Sequence, residues 1–253
     1  VAPSRGLGDV YKRQSLLIVF LIGAFTTMGY RAKSLAKETR DPRNYYFVIT
    51  GEKTICKIDS VTNQIVSRIN VEGRPEDIRV SPDGKTLAVV VLNIKDEDDN
   101  GFILFYNVQN DKLVKKLQIG RHPSRIAFVP NRNYIMVTNT KDNDISLIDS
   151  ENYIVLQPIS TGRRPKALCL SADGKCCYVA NTGEDTITVV DMENFKKVKK
   201  LRVGRYPTDI SLNKDSGNIM VTLSKEKAVA LVNPRRSGIQ KVNLTDIPKN
   251  ICR

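Results

Sequence analysis

From residue 45 onward the chain sets short apolar runs between turn residues that recur every eight to ten positions. Runs such as "DISLID" (144–149) and "DTITVVD" (185–191) put β-branched apolar residues at every second place, the period of a half-buried strand. Gly, Pro, Asp and Asn punctuate the intervals between them. No stretch of a dozen residues carries a 3.6-residue apolar face, so the pattern predicts strands and turns throughout this region.

The runs repeat in a fixed frame. Gly73, Gly120, Gly162 and Gly204 lie 47, 42 and 42 residues apart, and each is followed within three residues by Pro75, Pro123, Pro165 or Pro207. A short apolar stretch comes next ("EDIRV", "SRIAF", "KALCL", "TDISL"), then a turn ("SPDGK", "VPNRN", "SADGK", "NKDSG"). A second stretch follows ("TLAVVV", "YIMVTN", "CCYVAN", "IMVTL"), and a third ends near Asp59, Asp149 or Asp191. A fourth leads back to the glycine. A period near 42 suits both helical arrays and propeller blades, and strand periodicity selects the second. One four-stranded meander cannot bury both its faces, whereas several set radially cover one another and keep their edges short. The expected fold is all-β, a β-propeller of four-stranded antiparallel blades over 45–253.

The segment "RPKALCLSADGKCCYVANTGEDTITVVD" resembles the YVTN-family β-propeller repeat, with Tyr178-Val179-Ala180-Asn181 nearly spelling the motif and Val137-Thr138-Asn139 a partial copy. The resemblance covers about residues 45–253. WD-repeat proteins share the period, but the chain has no Trp and so lacks their signature dipeptide. YVTN-type rings are usually seven-bladed, and this sequence holds about five units. It enters at "YYFVIT" (45–50), which matches the second strand of a blade, and Pro248 aligns with Pro207. Closure of five blades by the last strand and a truncated larger ring are the two arrangements left open, the second favoured.

Residues 15–30, "SLLIVFLIGAFTTMGY", are an uncharged apolar run followed by Arg31, Lys33 and Lys37, read as one N-terminal hydrophobic helix. A membrane span needs about 20 residues, and this run suits a signal-peptide core better. Upstream, "DVYKRQ" (9–14) reads as the translation of a transposon end used in sequencing libraries, GAT GTG TAT AAG AGA CAG, so 1–14 is taken as non-native. The native run could then begin earlier, which leaves cleaved signal and membrane anchor both open. Either way the propeller is expected outside the cytoplasm, in the periplasm, at the cell surface or on an outward-facing anchor. Residues 31–44 form a polar linker.

Charge narrows the partners. The formal net charge is +13, of which the first forty residues supply seven basic and two acidic side chains. The remaining excess favours an anionic ligand, an acidic protein, a glycan or a lipid surface, the last also through the N-terminal segment if it is kept. Nucleic acid is disfavoured, because export separates the two and the loops hold few aromatics to stack bases.

Candidate chemistry sits in the loops. The turns from outermost to next innermost strand read Gly-Arg, giving Arg74, Arg121, Arg163 with Arg164, and Arg205, with His122 beside Arg121. Radial symmetry would gather them around the channel mouth, where guanidiniums suit carboxylates or phosphates. Solvated loop charge, paired with acids such as Asp142 and Glu184, is the plainer reading. In "DEDDNG" (96–101), Asp96, Asp98, Asn100 and Gly101 match the opening of a calcium loop. The match stops there, with Leu104 at position nine and Asn107 where a bidentate Glu belongs. Calcium is therefore the one cofactor considered.

Five cysteines form no C-x-x-C, and a turn over 171–175 would set Cys169 opposite Cys177, either as a disulfide or as two small buried side chains. His122 is the only histidine, and no G-x-S-x-G element accompanies it. Two functions follow. The first is a non-enzymatic binding or scaffold propeller with a basic channel face. The alternative, implied by the resemblance, is a lactonase-like hydrolase or the propeller subunit of a quinone- or haem d1-type oxidoreductase.

Overall fold

The computed structural model describes residues 44–51, 53–95, 97–234, 236 and 238–248. The hydrophobic helix expected over 15–30, the 1–14 segment and Cys252 lie outside them.

The described residues form twenty strands and no helix. The first sheet has three, β1 (Tyr45–Thr50), β2 (Thr54–Asp59) and β3 (Ile65–Asn70). The second is β4 (Arg74–Val80), β5 (Thr86–Leu92), β6 (Asn100–Asn107) and β7 (Leu113–Arg121). The third is β8 (Pro123–Phe128), β9 (Tyr134–Asn139) and β10 (Asp144–Asp149), with its outer strand broken into β11 (Ile154–Val155) and β12 (Ile159–Ser160). Pro158, which has no N–H to give the ladder, sits in that break. The fourth is β13 (Pro165–Leu170), β14 (Cys176–Asn181), β15 (Thr186–Asp191) and β16 (Lys196–Arg202). The fifth is β17 (Pro207–Leu212), β18 (Ile219–Leu223), β19 (Ala228–Asn233) and β20 (Gly238–Asn243).

Burial follows the sequence pattern. β5, β9 and β14 are buried on both faces and read as continuous apolar runs, while the Lys-rich outer strands β7 and β16 are largely exposed. The Ser-x-Asp-Gly-Lys turns repeat one construction. Ser171 Oγ donates to Asp173 Oδ1 at 2.6 Å, Asp173 Oδ1 accepts from Lys175 N, and Gly174 takes φ +68°. Ser81, Asp83 and Gly84 do the same. The acids that end third strands cap the next turn, Asp149 Oδ1 accepting from Glu151 N and Asn152 N.

One expectation is corrected by the register. Cys169 pairs with Tyr178, and Cys177 pairs with Leu170. The ladder closes at Ser171 and Cys176, so the turn is one residue shorter than supposed. A slip of one turns a side chain to the other face of the sheet. Cys177 joins the core shared with the third sheet, Cys169 packs against the core shared with the fifth, and both are free thiols.

Each sheet packs on the next in chain order through its innermost strand, with apolar cores filling the intervals. A latch recurs at those joints. Thr140 Oγ1 donates to Pro165 O at 2.8 Å, Thr182 Oγ1 to Pro207 O at 2.9 Å, and Ser224 Oγ to Pro248 O at 3.1 Å. Thr182→Val keeps the shape and deletes the donor. It is expected to cost about 1 kcal/mol, seen in thermal unfolding as a Tm lower by about 3 °C.

What distinguishes a ring from a pile is a side chain. Arg125 on β8 reaches Asp209 on β17, with Nη2 3.1 Å from Oδ1, and lies 4.0 Å from Asp77 on β4. In a straight stack β8 and β17 would stand two sheet spacings apart, roughly 20 Å, beyond any arginine. The inner strands therefore converge on an axis.

Candidate functional site

The site is built where inner strands begin. Gly162 has no room for a side chain, since a Cβ there would lie 2.6 Å from Cγ of the buried Asn181. Asn181 Oδ1 accepts from Gly162 N at 3.2 Å, and its Nδ2 donates to Thr186 and Thr188 hydroxyls. Asn139 lies equally close beneath Gly120, whose N–H reaches Ser146 Oγ at 3.4 Å instead, and its Nδ2 donates to Asp144 and Ser146. The Asn of the repeat motif thus seats the Gly-Arg loop from beneath.

An acid in the neighbouring loop clamps the Gly-Arg turns at Arg121, Arg163 and Arg205. Asp142 Oδ2 accepts from Arg121 N at 2.6 Å, and Glu226 Oε1 accepts from Arg205 N at 2.7 Å. Glu184 likewise takes the Arg163 N–H, and Lys200 beside it holds its carboxyl below the usual range. Lys241, 2.6 Å from Glu226 Oε2, does the same there.

The residue just before the proline is left-handed in three loops, with φ of +52° at His122, +54° at Arg164 and +60° at Tyr206. Such backbone is strained for a side chain of this size and persists because both ends are pinned. His122 N donates to Asp99 O and its carbonyl accepts from Thr140 N. Arg164 N donates to Asn143 Oδ1 and its carbonyl accepts from Thr182 N. Tyr206 N donates to Asp185 Oδ1 and its carbonyl accepts from Ser224 N.

The loop arginines share this rim but not one state. Arg74 Nε donates to Glu76 at 2.7 Å, and Arg121 Nε donates to Asp142 at 2.6 Å, so those two charges are answered locally. Among the described residues, the exposed guanidiniums of Arg163, Arg164 and Arg205 form no ion pair. Beside Arg205 lies a groove of ≈ 420 Å³ whose lining includes Arg202, Lys241, Glu226 and Asp185. His122 Nδ1 is buried without a hydrogen-bond partner.

The acidic loop is placed differently from a calcium loop at its far end. Asn107 closes the eight-residue strand β6 that Asn100 opens, and caps its own turn by accepting from Gln109 N and Asn110 N. Asp99 pairs with Lys141, Asp98 and Asn100 lie beside it, and Asp96 is outside the described residues. Among the described residues no three His, Cys, Asp or Glu side chains come together in a way that could hold a metal ion.

Sequence reading missed the layer beneath the rim. Two residues past each proline stand Asp77, Arg125, Ala167 and Asp209. Arg125 on the third sheet joins Asp77 on the second to Asp209 on the fifth. Arg79 Nη1 and the Ile126 N–H also bind the Asp77 carboxylate, at 3.0 and 3.1 Å. Burial pushes the Asp77 carboxyl above its ordinary value, against the pull of Arg79 and Arg125. Burial, and then Asp209, push the Cys169 thiol up to about 12, so it is no nucleophile at neutral pH.

Comparison with known proteins completes the picture. The family described as the Choice-of-anchor I domain matches residues 37–144, less than half of the chain. Among solved structures, the chain is similar to the Kuenenia stuttgartiensis hydrazine synthase, at 22% identity and a TM-score of 0.60, over 67% of this chain and 49% of that one. It is also similar to the dihydro-heme d1 dehydrogenase NirN in complex with DHE, at 18% identity and a TM-score of 0.69, over 86% of this chain and 47% of that one. The fold is that of a β-propeller. The chain spans about half the length of either structure. No curated protein matches it.

Proposed function

We propose that this protein is an extracytoplasmic binding or scaffold module that takes an anionic ligand or acidic partner at the rim formed by the 162–166 and 204–206 loops. The observation that carries the reading is the contrast among the arginines. Arg74 and Arg121 pair directly with carboxylates, while among the described residues the exposed guanidiniums of Arg163, Arg164 and Arg205 form no ion pair, the nearby Glu184 and Glu226 being held by Lys200 and Lys241. Lys166, exposed at the start of β13, adds a fourth cation. Planar guanidiniums held on pinned backbone can meet a carboxylate, sulfate or phosphate bidentately without first paying for loop ordering. The anchor in the name of the matched family agrees with a chain tethered outside the cytoplasm, through the 15–30 segment or otherwise.

Calorimetry with a sulfated heparin oligosaccharide tests the site. Reversing Arg163 and Arg164 to Glu is expected to weaken binding at least about tenfold, close to 1.4 kcal/mol. Reversing Arg74 and Arg121 should change it far less. Equal losses from reversing Lys115 and Lys116 on the outer strand would mean diffuse charge attraction and end the proposal.

The second reading, a lactonase-like hydrolase or the propeller subunit of a quinone- or haem d1-type oxidoreductase, rests on the likeness to NirN and hydrazine synthase. The described residues do not fit such a centre. His122 is the single imidazole, and the axial carboxylates Asp77 and Asp209 are engaged by arginines. Haemin binding with a shifted visible spectrum that His122→Ala removes would favour this reading over the first.

A further inference from the structure

On the face opposite the arginines, the clefts between sheets are closed by a repeated device. In the second, third and fourth sheets the residue at the turn into the outermost strand is left-handed, with φ of +58° at Asp111, +55° at Tyr153 and +55° at Phe195, and reaches back to the preceding sheet. Asp111 binds Lys57 Nζ at 3.0 Å and Ser67 Oγ at 2.7 Å. Tyr153 packs edge-on against Phe105 with ring centroids 4.8 Å apart, and Phe195 packs against Tyr134 at 5.2 Å. The fifth unit carries Ser237 at this place in its sequence, and no aromatic or acid.

The cleft between the fourth and fifth sheets holds a cavity of ≈ 810 Å³, against ≈ 480 Å³ in the cleft beside Phe105. That size is in the range of small-molecule sites. Its apolar wall includes Tyr178, Val189 and Leu212, with the half-buried Cys176 between them. Lys214, Arg236 and Lys199, whose Nζ also donates to Pro234 O at 3.0 Å, line its basic side. Two carboxylates share the lining, Asp215 and Asp173, and Asp173 is already bound by Ser171 Oγ and Lys175 N. Cations therefore outnumber acids where the ring of Tyr or Phe would sit in the sister clefts.

The geometry points to this cleft as a binding site for a small aromatic acid, its ring lying where the other units place their own aromatic side chain and its acid group meeting Lys199, Lys214 and Arg236. The inference is independent of the rim, since Ser171 and Asn213 stand at the far ends of β13 and β17 from Pro165 and Pro207, about 20 Å along the strands.

Alkylation of Cys176 by N-ethylmaleimide on the full chain, followed by peptide mass, reads occupancy directly. Benzoate at about ten times a millimolar Kd is expected to slow that labelling about tenfold. Acetate, which has no ring, and benzyl alcohol, which has no charge, should leave the rate unchanged. Lys214→Glu should abolish the protection, and the Arg163→Glu/Arg164→Glu pair should keep it. Labelling that benzoate does not slow, that acetate slows equally, or that benzoate still slows in Lys214→Glu would overturn the assignment.

Discussion

Arg125→Met is expected to lower the stability of the propeller by about 3 kcal/mol at neutral pH, because it removes the shared partner of two buried carboxylates and leaves both facing the axis. The side chains of Asp77 and Asp209 are each only 9% exposed, whereas Arg125 is 29% exposed, which places the loss at the lower end for broken buried pairs. The pH dependence tests the cause. Asp77 has a folded-state pKa above its ordinary value, so protonation favours the folded chain. That contribution is full below the ordinary carboxylate pKa and is lost as the pH climbs through the raised one. Removing Arg125 takes away one of the two cations that restrain the rise, so the variant's deficit should deepen from about pH 4 to about pH 7. Urea unfolding across that range measures it. The triple change Asp77→Asn, Arg125→Met and Asp209→Asn should recover most of the loss, since replacing a whole buried ionic group is often neutral. A deficit that stays flat with pH would assign the cost to packing and remove the electrostatic role.

Why this network escaped the sequence, when the repeat did not, is a matter of range. The Gly and Pro of each unit, with the Asn of two of them, answer a local need, the seating of one loop on one strand, and the chain writes that need out several times. Repetition makes it legible. The glycine is required because Asn181 occupies the space of its Cβ, and the proline marks the strand start opposite that same Asn. The axial pairing joins positions 84 residues apart on different sheets and exists only once the ring has curved. Its one trace in the sequence is that the place two residues past the proline holds Asp, Arg, Ala and Asp, a charge in three of the four units set directly before an apolar residue. The cysteine register failed by a single residue because turn length was counted from composition, whereas the Ser171–Cys176 backbone bond fixes it. The arginine rim was legible as a list but not as a charge state. Asp142 and Glu184 were readable as candidate partners, yet Asp142 closes on Arg121 while the Glu184 side chain is taken by Lys200, leaving the Arg163 guanidinium exposed. Nor does anything in "GRHP" or "GRYP" announce a left-handed residue before proline. That conformation is imposed by bonds from the neighbouring loop.

Asn181→Ala is the second large effect, and its comparison with Asn139→Ala is sharper than either alone. Asn181 is fully buried and uses both ends of its amide, accepting from Gly162 N and donating to Thr186 and Thr188. Truncation strands the buried Thr188 hydroxyl and the Gly162 N–H and opens a cavity, for an expected loss of about 3 kcal/mol. None of these partners titrates between about pH 4 and about pH 8, so that loss should be flat across the range. Asn139 differs in two ways. Its Oδ1 has no partner, so truncation gives up fewer bonds, and its Nδ2 donates to a carboxylate, Asp144 Oδ1, at 2.7 Å. Burial raises the Asp144 carboxyl above its ordinary value, and the Asn139 bond is the main force holding it down. Without that bond the folded-state pKa climbs further, and folding must then either keep the proton or bury an unsupported charge. The cost of Asn139→Ala should therefore be small near pH 4 and grow toward about pH 8, the sign that a raised carboxylate pKa dictates. Chemical unfolding of the two variants side by side separates the cases. A pH-dependent Asn181→Ala or a flat Asn139→Ala would show that the two motif asparagines do not hold their loops in the way their hydrogen bonds imply.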